Sequence, residues 1–306
     1  MSLALIDNPP PWPGGARCAA CLSFDLDAES LLHLNHREVA HSRIALSSAL
    51  RYGPEVAIPR LVKILRHFGL QQTFFVPGWC LETYPRAIEC LLEAGHELGH
   101  HGWLHERPNL LTADEEARVL DRALLAFDRV VGAHPRGYRA PAYALSDRTV
   151  GLLVERGFAY DASLMGDDVP YLVAVDGGRL VELPADIVMD DWIQYTNLKE
   201  FGYATPIRAP ARAMEVFRAE FDAAWRHGGL FVSIWHPFVS GRLARAEAIV
   251  ELLADLRDKE GVWFATMGQI AEHVAGLVAQ GTWTPRIDRL PFWDRPVDHL
   301  VPHRPT

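Results

Sequence analysis

No stretch of this 306-residue chain approaches the ~20 consecutive apolar residues that a membrane-spanning helix needs. Met1 to Gly15 likewise lacks the basic start and long apolar run of a secretory leader, so a cytoplasmic location is the expectation. No face-forming run of Lys and Arg offsets the net charge of -9, which argues against nucleic acid and anionic membranes as partners. A Gly/Ser linker or charge block that would divide the chain is also missing. Residues 1–306 are therefore read as one domain, with an N-terminal arm (1–15), a core of about 16–275 and a tail (281–306). Cysteine is scarce, at four residues. Cys18 and Cys21 have the spacing of a redox pair, but redox pairs sit at helix starts and these two lie inside an apolar run, so they read as plain buried thiols.

What is present is a beat of strands and helices. The run from Cys18 to Phe24 reads as a strand buried on both faces. Residues 30–58 have weak periodicity and read as a long functional loop. Pro59 then opens a helix that Gly69 closes, followed by the strand Thr73–Val76, a helix from Pro85 to Ala94 and a short strand into a histidine cluster. Thr112 and Glu115 have capping-box spacing ahead of a helix that ends at Gly132. Ser146 to Gly157 reads as a further helix, Phe158–Tyr160 and Leu180–Leu183 as strands, and Asp161 to Gly178 between them as a loop. An amphipathic helix over 210–227, the strand Leu230–Trp235, a helix from Ala244 to Lys259 and a last strand-helix pair complete roughly seven or eight units. That is the pattern of an α/β fold whose parallel strands close into a distorted (β/α)7-8 barrel. Beyond Gly281 the tail has no period and is read as a segment that packs on a neighbouring subunit.

In such barrels chemistry gathers where strands run out into the following loops. Asp25 and Asp27 follow the first strand, His101 and His105 the third, Arg139 ends a short extended piece and His236 ends the strand of Val232 to Trp235. Fourteen histidines make the His101-x-x-x-His105 spacing weak in isolation. Convergence on one rim is the stronger signal. Two imidazoles and a carboxylate suit a divalent cation, and Gly102 and Pro108 require a turn rather than a helix to present them. Like charges at Asp25 and Asp27, i and i+2 on extended chain, face the same way and want a cation between them.

Five pieces in order resemble the polysaccharide deacetylase (NodB-homology, carbohydrate esterase family four) superfamily. They are Ser23-Phe-Asp-Leu-Asp27, His101-Gly-Trp-Leu-His105, Arg139-Ala-Pro-Ala-Tyr143, Asp161-Ala-Ser-Leu-Met165 and Trp235-His-Pro-Phe238. The resemblance implies a distorted (β/α) barrel with Asp25 as catalytic base, Asp27, His101 and His105 on the metal, Arg139 orienting the base and His236 as general acid. Tyr143 would line the site, with Trp103, Trp192 and Phe238, and also Trp79, as candidate walls. The commonest family pattern has adjacent aspartates followed by glycine; here Leu26 separates them and Ala28-Glu29 follow. The spaced form, with Trp12-Pro-Gly-Gly15 ahead of it, is similar to the branch holding cyclic imide hydrolases, allantoinase-like proteins and intracellular peptidoglycan-deacetylase-like proteins. That branch implies a homo-oligomer, a tetramer among the forms expected.

The resulting expectation is metal-dependent hydrolysis of a non-peptide carbon-nitrogen bond in a small amide or cyclic imide. Zinc is the first choice of ion, and nickel, cobalt and manganese suit the same ligands. The alternatives are N-deacetylation of a sugar or peptidoglycan fragment, and a non-catalytic metal-containing binding protein. A small substrate needs a closed pocket, for which residues 30–58 and the segment Asp186 to Tyr203 would form the lid.

Overall fold

All eight residues of the first strand, Cys18–Asp25 (β1), are buried. A run of this kind needs cover on both faces, and β1 obtains it as an inner strand of a largely parallel sheet, with a neighbour on either edge. In the computed structural model, which describes residues 3–202, 204–293 and 295–296, the further strands are Thr73–Val76 (β2), Glu97–His100 (β3), Gly137–Tyr138 (β4), Tyr160–Asp161 (β5), Tyr171–Val175 (β6), Gly178–Glu182 (β7), Leu230–Trp235 (β8), Val262–Phe264 (β9) and Ile287–Arg289 (β10). Their order is β10-β6-β7-β5-β4-β3-β2-β1-β8, and only β6 and β7 pair antiparallel. β1 is shared: Cys18 to Ala20 pair with β9, while Ser23 to Asp25 pair with β2. The ladder does not close by strand pairing. The irregular chain after β7 crosses the gap instead, and Asp190 makes one isolated parallel bridge with Ile234 of β8. The result is an α/β barrel with one unladdered seam.

Alternation along β1 decides where chemistry can stand. Cys18, Ala20, Leu22 and Phe24 join the core beneath the outer helices. Ala19 and Cys21 join a second core with Phe75, Tyr160, Val181 and Ile234, which fills the barrel interior. Asp25 falls on that inward face at the last position of the strand. Burial pushes the Cys18 and Cys21 thiols up to about 12, so both are inert.

Three expectations about elements need correction. Residues 30–58 are largely helical, not a loop: Ser30–Asn35 and Ile44–Tyr52 are helices, and the second runs through a π turn at Gly53–Ala57 into Ile58–His67. Only Leu50 of Ile44–Tyr52 is buried, so the segment carries too short an apolar stripe to declare itself. The loop expected from Asp161 to Gly178 contains β6, a hairpin partner of β7 turned at Asp176-Gly177. The tail is ordered in part, since Ile287–Arg289 pairs with β6; its last residues, and the subunit contact expected of them, lie outside the described residues. The capping box at Thr112 is present, opening the helix Ala113–Val130. Among the described residues no helix is long and apolar enough to cross a membrane.

Candidate active site

Four strand ends deliver the site. Beyond Asp25 the chain stays pinned to β2, because the Leu26 amide donates to the Phe75 carbonyl at 2.9 Å. The Asp27 carbonyl then accepts from the Ser30 hydroxyl at 2.6 Å and from the Cys80 thiol at 3.3 Å. The backbone is thereby fixed, and the Asp27 carboxylate is directed into the cluster with 1% exposure. His101 follows β3, and its Nδ1 donates to the Arg139 carbonyl at 2.8 Å. That bond sets the tautomer and leaves Nε2 as the atom facing Asp27 Oδ1, 3.5 Å away. His105 Nε2 lies 3.6 Å from Asp27 Oδ2. Between the two histidines, Glu106 Oε2 accepts the amides of Trp103 and Leu104 at 3.0 and 2.7 Å and so ties the turn that presents them.

Backbone strain marks the same rim. Ala28, His105, Ala142 and Tyr143 are the non-glycine residues with positive φ among the described residues, at 48°, 68°, 52° and 57°. All four lie in the loops after β1, β3 and β4. Such conformations persist only where surrounding contacts over-determine them.

Asp25 and His236 each have a buried partner. Arg139 Nη1 donates to Asp25 Oδ1 at 2.7 Å, Nε donates to the Ala162 carbonyl at 3.0 Å, and the guanidinium stacks 4.3 Å from the Phe75 ring centre. Asp25 Oδ2 is left facing His101 Nε2 at 3.9 Å. His236 Nδ1 donates to Asp191 Oδ1 at 2.7 Å, its backbone amide donates to Asp191 Oδ2 at 2.9 Å, and its Nε2 lies 3.5 Å from Asp27 Oδ2. The Ser240 hydroxyl also donates to Asp191. Asp190, next to it, accepts from the Tyr143 hydroxyl at 2.7 Å and from the Trp192 amide at 2.8 Å.

These contacts sort the protonation states. Burial opposes charge on Asp27, but the imidazoles of His105, His101 and His236 outweigh it and hold the carboxyl well below the usual carboxylate range. Burial lowers His105 to about 4, the neutral form a ligand needs. Burial also opposes a charge on His236, yet Asp191 raises it well above its ordinary value, so it carries a proton to give. Burial lifts Asp190 to about 6.

The six residues expected at the rim, Asp25, Asp27, His101, His105, Arg139 and His236, are therefore brought together. All but Arg139 line a cavity of about 420 Å³, along with Tyr143 and Trp192. Trp103 and Phe238, expected as walls, do not line it. Trp103 is covered by the Arg122 guanidinium, and Phe238 backs the site by packing its ring against Trp192 and His236. Trp79 packs on His33 and Tyr84, also away from the cavity. Both segments expected as a lid line the cavity, through Leu31, Leu34 and Asn35 and through Ile187, Ile193 and Phe201, and Tyr203 lies outside the described residues. Sequence reasoning missed Asp190 and Asp191. Their only signal was an acidic pair in a stretch taken for a lid.

Residues 49–160 match the family model described as polysaccharide deacetylase. The peptidoglycan deacetylase of Helicobacter pylori is 32% identical over 250 residues, spanning 72% of this chain and 84% of that one. The chain belongs to the polysaccharide deacetylase family. Family membership makes it a metal-dependent hydrolase acting on carbon-nitrogen bonds. A crystal structure from Mycobacterium smegmatis, classed with the polysaccharide deacetylases, superposes with a TM-score of 0.86 at 42% identity, covering 93% of this chain and 98% of that one. The fold is also that of Puue allantoinase, with a TM-score of 0.78 at 22% identity over 91% of this chain and 96% of the other.

Proposed function

We propose that this polysaccharide deacetylase relative hydrolyses a carbon-nitrogen bond of a small amide or cyclic imide, with Asp25 as base and His236 as acid beside one divalent cation on Asp27, His101 and His105. The observation that carries the reading is that both proton-transfer groups flank one ligand cluster, each fixed by a buried partner of its own, Arg139 and Asp191.

The cluster fits a cation. Asp27 Oδ1 is buried with no hydrogen-bond partner among the described residues, and the imidazole nitrogens stand 3.5 and 3.6 Å from the carboxylate, beyond good hydrogen-bond range. Two imidazoles and one carboxylate leave an open position and suit zinc, with nickel, cobalt and manganese as substitutes. When bound, the cation supplies Lewis acidity towards the substrate carbonyl. The protein's own residues move the protons. Asp25, with Oδ1 tied to Arg139, takes the proton of the attacking water on Oδ2. His236 keeps its Nδ1 proton on Asp191 and delivers the Nε2 proton to the departing nitrogen.

A compact substrate suits the cavity. Its lining includes Leu31, Leu34, Ile187, Ile193 and Phe201, apolar side chains that offer no partners to the hydroxyls of a sugar chain, beside the polar Asn35 and Arg107. The name of the Helicobacter pylori relative supports a second reading, removal of an N-acetyl group from a sugar or peptidoglycan fragment. The two separate in one screen of metal-loaded protein against dihydrouracil, hydantoin, succinimide, allantoin and N-acetylated sugars. Turnover of the ring compounds is expected; turnover of the sugars alone would transfer the assignment to the second reading. Failure with every compound at full metal loading would make the chain a binding protein. Asp25→Asn is expected to retain the metal while kcat falls by about 10³-fold, in the range of general base catalysis.

A further inference from the structure

Two carboxyls that the reaction above does not use lie behind Arg139. Asp161 of β5 and Glu182 of β7 are register partners on adjacent parallel strands, and neither exposes any surface. Their outer oxygens are well supplied. Asp161 Oδ1 accepts from the Ser163 hydroxyl at 2.7 Å, and Glu182 Oε1 accepts the amides of Ser163 and Leu164 at 3.1 and 2.9 Å. Their other oxygens, Asp161 Oδ2 and Glu182 Oε2, are buried with no donor. The two side chains are within hydrogen-bond reach of each other. Two acceptors facing in a dry interior require a proton between them, because two unshared charges at that depth are strongly unfavourable.

We propose that Asp161 and Glu182 share one proton, carried on Glu182 and donated to Asp161, and that the pair positions the Arg139–Asp25 couple. The connection runs through one short segment. Arg139 Nε donates to the carbonyl of Ala162, and the amide of Ala140, next to Arg139, donates to the hydroxyl of Ser163 at 2.8 Å. Asp161 and Glu182 hold Ser163 from both sides, by its hydroxyl and by its amide, and so fix both of Arg139's anchor points. Burial first, then the charge of Asp161, keeps Glu182 well above the usual carboxylate range. Arg139 is the cation that acts on Asp161, and the hydroxyls of Tyr138 and Tyr171 are the other titratable groups facing the pair.

The activity part of the test rests on the function proposed above; the other two parts do not. At neutral pH the infrared spectrum of the intact protein should contain the carbonyl band of a protonated, buried carboxyl, and Glu182→Gln should abolish it. The Nε–H resonance of Arg139, identified by its loss in Arg139→Lys, should be unmoved in Glu182→Gln, whose amide still donates to Asp161, and displaced in Ser163→Ala and Glu182→Ala. With substrate, Ser163→Ala should lower kcat about tenfold at unchanged KM and metal content, the loss usual for a supporting shell, while Glu182→Gln keeps kcat. Ser163→Ala carries the test if Glu182→Ala does not fold. No protonated-carboxyl band in the wild type, or a Glu182→Gln protein in which the Arg139 resonance is displaced, overturns the shared proton. An unmoved Arg139 resonance in Ser163→Ala overturns the positioning role. Both outcomes are decisive even if no substrate is ever turned over.

Discussion

Replacing Asp191 with Asn should strip the His236 imidazole of its positive charge while leaving the fold in place. The carboxylate receives three hydrogen bonds, from the His236 ring at 2.7 Å, the His236 amide at 2.9 Å and the Ser240 hydroxyl. Asn can keep the last two on its carbonyl oxygen, but its amide nitrogen must face His236 Nδ1. The imidazole is then forced to accept there, and it settles as the neutral Nε2–H tautomer. One charge-assisted bond is lost, so stability should fall by about 2 kcal/mol. Kinetics should change more. A neutral imidazole is a poor acid, and kcat should drop by about 10²-fold or more, the usual contribution of a positioned acid. The sign of the pH effect follows from His236 being active while protonated. In the wild type Asp191 holds it well above its ordinary value, so activity persists until pH rises through that raised value. In Asp191→Asn the main cause is gone and the alkaline limb of kcat should move down towards about 6.5. The assay is kcat against pH on metal-loaded protein, with thermal unfolding as the control for folding. A variant that keeps kcat within about threefold and an unmoved alkaline limb would refute the reasoning.

Three further outcomes are expected. His105→Ala should abolish stoichiometric metal binding, measured by metal analysis after dialysis, because two ligands remain where three converged. His96 is 5% exposed, accepts the Gln72 amide on Nδ1 at 3.0 Å, and is lowered by burial to about 4. The unfolded chain takes up that proton first as pH falls below about 6.5, so His96 should withdraw about 2 kcal/mol of stability between pH 7.5 and 5, and His96→Gln should reduce the slope by that share in denaturant titrations. Gly137→Ala would place a Cβ 1.9 Å from Cζ of the fully buried Tyr160, whose hydroxyl is held by Glu97, and should lower stability by about 3 kcal/mol in the same assay.

The fold was most legible where one physical signal dominated. β1 and β8 announced themselves as apolar runs, and Thr112 with Glu115 marked a helix start, because burial and capping are local properties of sequence. Residues 30–58 hid their helices, since Ile44–Tyr52 buries a single side chain and a helix of that kind leaves almost no period. β6 was missed although Asp176-Gly177-Gly178 stands in the sequence as a hairpin turn; the acidic stretch before it masked the short apolar run. The convergence of Asp27, His101 and His105 was legible from strand-end position combined with family resemblance. Asp190 and Asp191 were not, because nothing local distinguishes a surface acidic pair from one folded inward at 6% and 0% exposure. The misplacement of Trp103 and Phe238 has the same origin: sequence gives an aromatic ring its neighbourhood but not its direction.

The single bridge between Asp190 and Ile234 has a consequence for how this scaffold can vary. The piece of chain that shuts the barrel wall is also the piece that tethers His236, so the two properties are inherited together. An insertion between Glu182 and Asp190 would loosen the wall and slacken the hold on His236 in one stroke. Diversity of substrate must therefore be sought elsewhere on the rim, in the helical turns around Leu31 and Leu34 and in the loop bearing Leu110, which can be exchanged without opening the joint.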